Sequence, residues 1–316
     1  MTSDFLQLKY PLNIFASSDF LFQHVFRKRF FRYVSDELWL QKAWKIKMGG
    51  SIDFSHPTGF NEKLQWLKLY DHNPLYTIFA DKVKVRDYIR KRGLKEILVP
   101  ALGVWKNPND IDFEKLPLRF VLKCNHNSGE GMVLCKDKRN LDIAKAKRGL
   151  KKALSYNYFH HHREWAYKNI KPLIIGEKYI DHNEKEGLID YKFYCFNGKP
   201  KFLYLGRALF KNGVKVQDLM TFLGIDYQPV PFSRPDYSAL SNIPPKPSCF
   251  DDMLKIAERL SEGIPFVRVD LYWVHEHIYF SELTLYPGAG YSFFKPDSAE
   301  KEIGDMLILP DKRFDK

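Results

Sequence analysis

Residues 266–290 read FVRVDLYWVHEHIYFSELTLYPGAG, and this stretch decides the fold. Two apolar runs, 266–273 and 277–283, flank a polar break near Glu276, the pattern of a β-hairpin. Alternation along the first strand puts Arg268 and Asp270 on one face. The turn then brings Glu282, on the second strand, beside Asp270. Two carboxylates on adjacent strands, each flanked by apolar residues, are costly to bury without a cation. Hard oxygen ligands of this kind suit Mg²⁺, which takes a few carboxylates and completes its shell with substrate phosphates. A cross-strand salt bridge from Arg268 accounts for one of the two acids and leaves the other unexplained.

Upstream, residues 120–132 read FVLKCNHNSGEGM. A strand delivers Lys123, and a small polar loop containing Gly129 and Gly131 follows. Glycines let backbone N–H groups line a concavity that holds phosphate, and the lysine adds positive charge beside it. No G-K-[ST] closes the loop, so it is not a Walker A motif. Between the two regions, residues 173–180 (LIIGEKYI) form an apolar run ending in Glu177-Lys178. Such a strand can offer backbone groups to an adenine edge and sandwich the ring. Each of these two motifs alone also fits an ordinary strand or hairpin.

Further strands are expected at 120–124, 132–135, 173–180, 191–196 and 201–207, and residues 96–105 read as one more. Asn197-Gly198 supplies a type I′ turn. Helices are expected at 61–70, from about 77 to Gly93, at 141–155 and at 250–262. Strand pairs joined by tight turns, with helices between them, indicate an α+β protein with antiparallel sheets. The proline-rich stretch 229–247 reads as a loop. Residues 1 to about 75 read as helical, and the aromatic and arginine-rich cluster at 20–33 is expected to pack on its own domain in preference to a membrane face. The division expected is a helical, basic N-terminal region 1–76, a first lobe 77–172 and a second lobe 173–316.

The composition excludes several classes. Of 316 residues, 45% are apolar, too many for a disordered chain, yet no run of about 18 uncharged apolar residues reads as a membrane span. The start lacks the pattern of a secretory signal, so a cytoplasmic protein is expected. Four separated cysteines show no C-x-x-C spacing and read as reduced, mostly buried thiols. The net charge is +12, with much of it between Lys136 and Lys171. No nucleic-acid-binding signature accompanies it, so no nucleic-acid partner is expected. A solvated helix face or attraction of an anionic substrate or membrane surface explains it equally well.

In this order the motifs resemble the ATP-grasp superfamily: Asp81-Lys82 opening a helix, Lys123 with its loop, Glu177-Lys178-Tyr179-Ile180, Arg268-Val269-Asp270, and Glu282-Leu283-Thr284 before Pro287-Gly288. Over about 55–310 the chain looks more narrowly like the TupA-like branch, associated with teichuronopeptide and other surface-polysaccharide biosynthesis. FNEKLQWLKLYD, LPLRFVLKCNH, REWAYKNIKP, LIDYKFYCFNGKPKF and PFVRVDLY carry that resemblance. It implies two α+β lobes with antiparallel sheets clasping ATP, preceded by the helical region. It further implies that Lys82 and Lys123 contact ATP phosphates under the loop His126, Asn127, Ser128, Gly129 to Gly131. Glu177, Lys178, Tyr179 and Ile180 would meet adenine, and Asp190 the ribose. Asp270 and Glu282, with Thr284, would hold Mg²⁺, while Arg268 and Lys192 would serve catalysis. Thr284 stands where many relatives have a metal-binding Asn, and the N-terminal helices replace the α/β domain that precedes many ATP-grasp cores.

The activity implied is ADP-forming ligation of a carboxylate to an amine through an acyl phosphate. The branch points to an amino acid joined to a uronic acid, another saccharide or another amino acid, a lipid-linked precursor included, and to contact with the inner face of the membrane. Two rivals are a glycosyltransferase and a non-catalytic membrane-surface binding protein. The first wants a D-x-D-like metal motif, which Asp251-Asp252 does not provide.

Overall fold

The computed structural model describes residues 34–182, 187–211 and 214–314. The chain divides into two units between Asp53 and Phe54. In the first, helix α1 (Asp36–Lys47) is capped by Ser35, whose hydroxyl accepts from Leu38 N, with acids in its first turn and lysines in its last. The aromatic cluster at 20–33 lies outside the described residues. No described helix is long and apolar enough to cross a membrane.

The second unit carries two antiparallel sheets. In the first, β1 (Ala101–Trp105), β4 (Ile174–Lys178), β2 (Phe120–Cys124) and β3 (Val133–Cys135) lie in the order β1-β4-β2-β3. Phe120, Leu122 and Cys124 alternate into a core closed by Leu150 and Ala153 of helix α5 (Ile143–Leu154). The lysines and arginine of α5 stay on its solvent side, the solvated face that the charge pattern allowed. The second sheet contains β5 (Ile189–Phe196), β6 (Lys199–Lys211), β7 (Val214–Gly224), β8 (Phe266–Val274) and β9 (His277–Thr284), ordered β7-β6-β5-β8-β9. Asn197 and Gly198 both have positive φ (49° and 80°), as the type I′ turn between β5 and β6 requires.

Neighbouring residues of a strand face opposite ways, and β5 shows where each layer packs. Phe193 meets Phe250 of helix α7 (Phe250–Ser261), which buries Met253, Ile256, Ala257 and Leu260 against the sheet. Tyr194 faces the other way, toward Phe60 of helix α2 (Phe60–Tyr70). Phe60 also packs on Phe266, with ring centroids 5.0 Å apart. Helix α2 is further tied to helix α8 (Ser298–Asp305), because Asn61 N and Nδ2 donate to Glu300 at 2.6 and 2.8 Å.

Several expectations change. Helix α2 covers the second sheet and is not part of a separate N-terminal region ending at 76, because Phe60 is embedded among that sheet's aromatics. Strand β4 hydrogen-bonds to β1 and β2, so the division at 173 falls one strand too early. The helix expected from 77 to 93 is two helices, α3 (Pro74–Ala80) and α4 (Val85–Lys91). Asp81 Oδ1 accepts from Val83 N and Lys84 N and starts the chain on a new axis. Residues 96–105 split into a 3₁₀ turn, Lys95–Ile97, and β1, with Pro100 between them. Strand β7 was not expected, although the Asn212-Gly213 dipeptide before its alternating run was a usable signal. The short helix α6 (Phe159–His162) completes the set. All four cysteines are free, three of them buried and Cys249 partly so.

Candidate functional site

The register of the second sheet gathers the charged residues on the Tyr194 face, opposite α7. Lys192 pairs with Asp270, Asp270 with Glu282, and Arg268 with Tyr194 and Thr284. Asp270 is fully buried. Arg268 grips it with two charge-assisted bonds, Nε to Oδ1 at 2.7 Å and Nη2 to Oδ2 at 2.6 Å. Lys192 Nζ adds a third at 2.6 Å and lies 3.4 Å from Asp190 Oδ1. Arg268 Nη2 also donates to Thr284 Oγ1 at 3.0 Å and lies 3.4 Å from Glu282 Oε1. Thr284 therefore braces the arginine.

These charges set one another's protonation. Burial opposes the Lys192 charge, but Asp270 and Asp190 outweigh it and raise the lysine well above its ordinary range. Burial would raise Glu282, yet Lys192, Arg268 and Lys82 bring its carboxyl down to about 2. Asp190 goes the other way: burial raises it, and Asp270 and Glu282 add to that. Glu282 is thus a firmly ionised carboxylate whose side chain keeps 41% of its exposure.

The first sheet supplies the opposing wall. Cys124 alternates inward, so Lys123 points out, diagonal to Glu177 across the β2–β4 pair. Glu177 receives Lys123 Nζ at 2.8 Å on one oxygen and Arg86 Nη1 at 2.9 Å on the other. Lys82 is fixed by its neighbours: its N–H donates to Asn125 O at 3.1 Å, while Asn125 Nδ2 donates to Asp81 Oδ1 at 2.9 Å. Its amine donates to Asn127 O, at the base of the glycine loop. Burial lowers the Lys82 pKa, with Lys123 adding to the effect. A cleft of about 250 Å³ runs between the sheets, lined by Lys82, Lys123, Ser128, Gly129, Lys192 and Glu282 among others.

The structure brings together most, not all, of the residues singled out in the sequence. Asn127 joins the six just named in lining the cleft. Glu177 lines a smaller hollow with Lys82, Lys123, Tyr167 and Glu282. Asp270 and Arg268 sit buried beneath, and Asp190 beside them. His126 does not face the cleft: it is buried, with Nε2 3.0 Å from Tyr156 O and Nδ1 3.3 Å from Asn125 Oδ1. Gly131 packs on α5, where a Cβ would lie 2.5 Å from Ala153 Cβ, so the position requires a residue without a side chain. Lys178, the last residue of β4, and Tyr179 and Ile180 beyond it lie outside the cleft lining, with the Tyr179 ring 4.2 Å from the Arg119 guanidinium. Arg86 and Asn125 were missed, and Asp81 was singled out only as the opening of a helix. Asn125 adjoins the lysine strand, and Arg86 lies one helical turn beyond Lys82, but only the fold reveals that both orient the lysines.

Among the described residues no group of three or more His, Cys, Asp or Glu could by itself hold a metal ion. Asp270 and Glu282 nonetheless offer hard oxygens on directly paired positions, with Glu282 open to the cleft. That donor set fits a hard divalent cation whose remaining ligands come from a bound phosphate and water. Thr284 Oγ1 is already committed to Arg268.

A family model described as TupA-like ATP-grasp matches residues 62–308. No curated protein matches the chain. Among solved structures the chain is similar to D-alanine–D-alanine ligase from Helicobacter pylori, at 15% identity over 73% of this chain and 62% of that one, with a TM-score of 0.40. It is similar to D-alanine–D-alanine ligase from Bacillus anthracis complexed with ATP, at 18% identity over 73% and 66%, with a TM-score of 0.40. N5-carboxyaminoimidazole synthetase from Staphylococcus aureus complexed with ADP gives 12% identity over 66% and 44%, with a TM-score of 0.36. The chain spans less than two thirds of the length of each of these three relatives.

Proposed function

The chain belongs to the TupA-like ATP-grasp family, and on that premise we propose that it is an ATP- and magnesium-dependent ligase joining a carboxylate to an amine. The observation that carries this reading is the cleft itself, where Lys82 and Lys123 of one wall face Lys192 and Glu282 of the other. Three amines and one ionised carboxylate around a single opening suit a polyphosphate with a divalent cation. Asp270 and Glu282 would hold Mg²⁺, which when bound neutralises phosphate charge in the transition state. Lys82 and Lys123 bind the terminal phosphates, Lys123 giving up Glu177 as it does so. The Ser128–Gly129 backbone closes over them. Arg268 and Lys192 hold the buried Asp270 carboxyl in place with three hydrogen bonds. Glu177 to Ile180 receive the adenine and Asp190 the ribose.

The reaction that follows is attack of a substrate carboxylate on the γ-phosphorus, releasing ADP, then displacement of phosphate from the acyl phosphate by an amine. The resemblance of the motifs to the surface-polysaccharide branch leads us to infer an amino acid joined to a saccharide acid or to another amino acid. An anionic precursor of that kind would also use the exposed lysines of α5. Glycosyl transfer is less well supported: Asp251 and Asp252 occupy the exposed first turn of α7 and pair with Lys246 and Lys255.

The test is a screen of amino acids and uronic acids as carboxylates, with ATP, Mg²⁺ and hydroxylamine. A hydroxamate formed together with ADP is expected for one of them. Turnover of a sugar nucleotide without ATP would instead establish the glycosyltransferase.

A further inference from the structure

A second cavity lies on the other side of the second sheet. Lys192 and Asp270 belong to the Tyr194 face, so their chain neighbours Tyr191 and Leu271 point the opposite way, toward α7. Arg207 of β6 pairs with Ile189, and Trp273 stands two residues beyond Leu271, so both share the α7 side. There Arg207, Tyr191 and Trp273 line a cavity of about 460 Å³ with His182, His275 and Lys246 among others. It is larger than the cleft between the sheets and falls within the usual range of a small-molecule site, roughly 300–1,000 Å³. None of its lining residues lines the cleft.

The lining is basic at one end and amphiphilic elsewhere. The Arg207 stem lies against Gly187, where a Cβ would be 3.6 Å from Arg207 Cγ, and its Nε is buried without a hydrogen-bond partner. Lys246 is exposed within residues 244–247 (PPKP), whose prolines fix the backbone that carries it. Its amine lies 4.9 Å from the centroid of the Phe250 ring and 3.3 Å from Asp251, which is outside the lining. None of the described lining residues is acidic. A carboxylate or phosphate would meet the guanidinium and the amine with charge-assisted hydrogen bonds. Beside them the half-buried Trp273 and the prolines offer apolar faces, and His182 and His275 offer polar edges. That mixture suits a ring with both C–H faces and hydroxyl groups. We propose that this cavity is a second ligand site, independent of the ligase reading, for a sugar ring bearing a carboxylate or a phosphate.

The test is calorimetric titration of the full chain with glucuronic acid and glucose 6-phosphate, with glucose and inorganic phosphate as controls. At least one acidic sugar is expected to bind, about tenfold or more tighter than either control, and the tighter of the two identifies the anion. Arg207→Gln should weaken that sugar by about tenfold or more, the loss of one charge-assisted hydrogen bond. Trp273→Ala should weaken it as well. Lys246→Gln, at an exposed position that the fold does not depend on, should weaken it several-fold. Saturating AMP-PNP and Mg²⁺ should leave the sugar's affinity unchanged, because the cleft lies on the opposite face. The proposal is overturned if neither acidic sugar binds or if glucose binds as tightly. Displacement of the sugar by AMP-PNP, or equal affinity in wild type, Arg207→Gln and Lys246→Gln, overturns it too, by placing the sugar elsewhere.

Discussion

Asp270 and Glu282 face each other across β8 and β9, but their surroundings give them different work. Asp270 is enclosed and accepts three charged hydrogen bonds, whereas Glu282 opens to the cleft. Glu282→Gln should therefore abolish Mg²⁺-dependent turnover while leaving urea unfolding near wild type. Asp270→Asn should also abolish turnover, but it leaves Arg268 and Lys192 buried without their counter-charge and should cost about 3 kcal/mol of stability. Full activity in either variant would remove the proposed metal site. Lys123→Ala should weaken ATP binding by about 1.5–3 kcal/mol, toward the lower end because Lys123 must first leave Glu177. Unchanged ATP affinity in a nucleotide titration would reduce Lys123 to a strand residue.

At the scale of elements, α2 and α8 are joined through Asn61 and Glu300. Burial raises the Glu300 carboxyl to about 7, against hydrogen bonds from Asn61 that lower it. The folded chain thus holds this proton up to about pH 7, and the unfolded chain only to about pH 4.3. Between those limits the folded state binds more protons, so the Glu300 contribution is complete below the lower limit and declines as pH rises through the upper one. Wild-type stability, measured against Glu300→Gln, should fall by on the order of 2 kcal/mol across that window, after discounting for partial exposure. A flat difference would contradict the burial argument. The β8–β9 hairpin and its facing acids were legible in the sequence because strand alternation and a tight turn are local rules. The break at Asp81, the pairing of β4 with β2 and the placing of α2 on the second sheet were not. Each depends on a partner far along the chain: Asn125 for Lys82, Phe120 to Cys124 for β4, and Phe196 and Phe266 for Phe60. The burial of His126 and the packing of Gly131 on α5 were hidden for the same reason, since their partners, Tyr156 and Ala153, lie beyond the loop.

In the second unit as a whole, two antiparallel sheets present their charged faces to one cleft, the first bringing Lys82 and Lys123 and the second Lys192 and Glu282. In the proposed ligase this cleft transfers the γ-phosphoryl group of ATP to a carboxylate. Four features bear on that claim: the family, the amines, the ionised Glu282 and the buried Asp270. The most direct measurement follows one atom. Once the screen has identified the carboxylate, it is labelled with oxygen-18 and incubated with ATP, Mg²⁺ and the amine. Attack of the carboxylate on phosphorus predicts one labelled oxygen in the released phosphate, with ADP as the other product. Unlabelled phosphate, or pyrophosphate and AMP, would contradict the account even if ATP binding were intact.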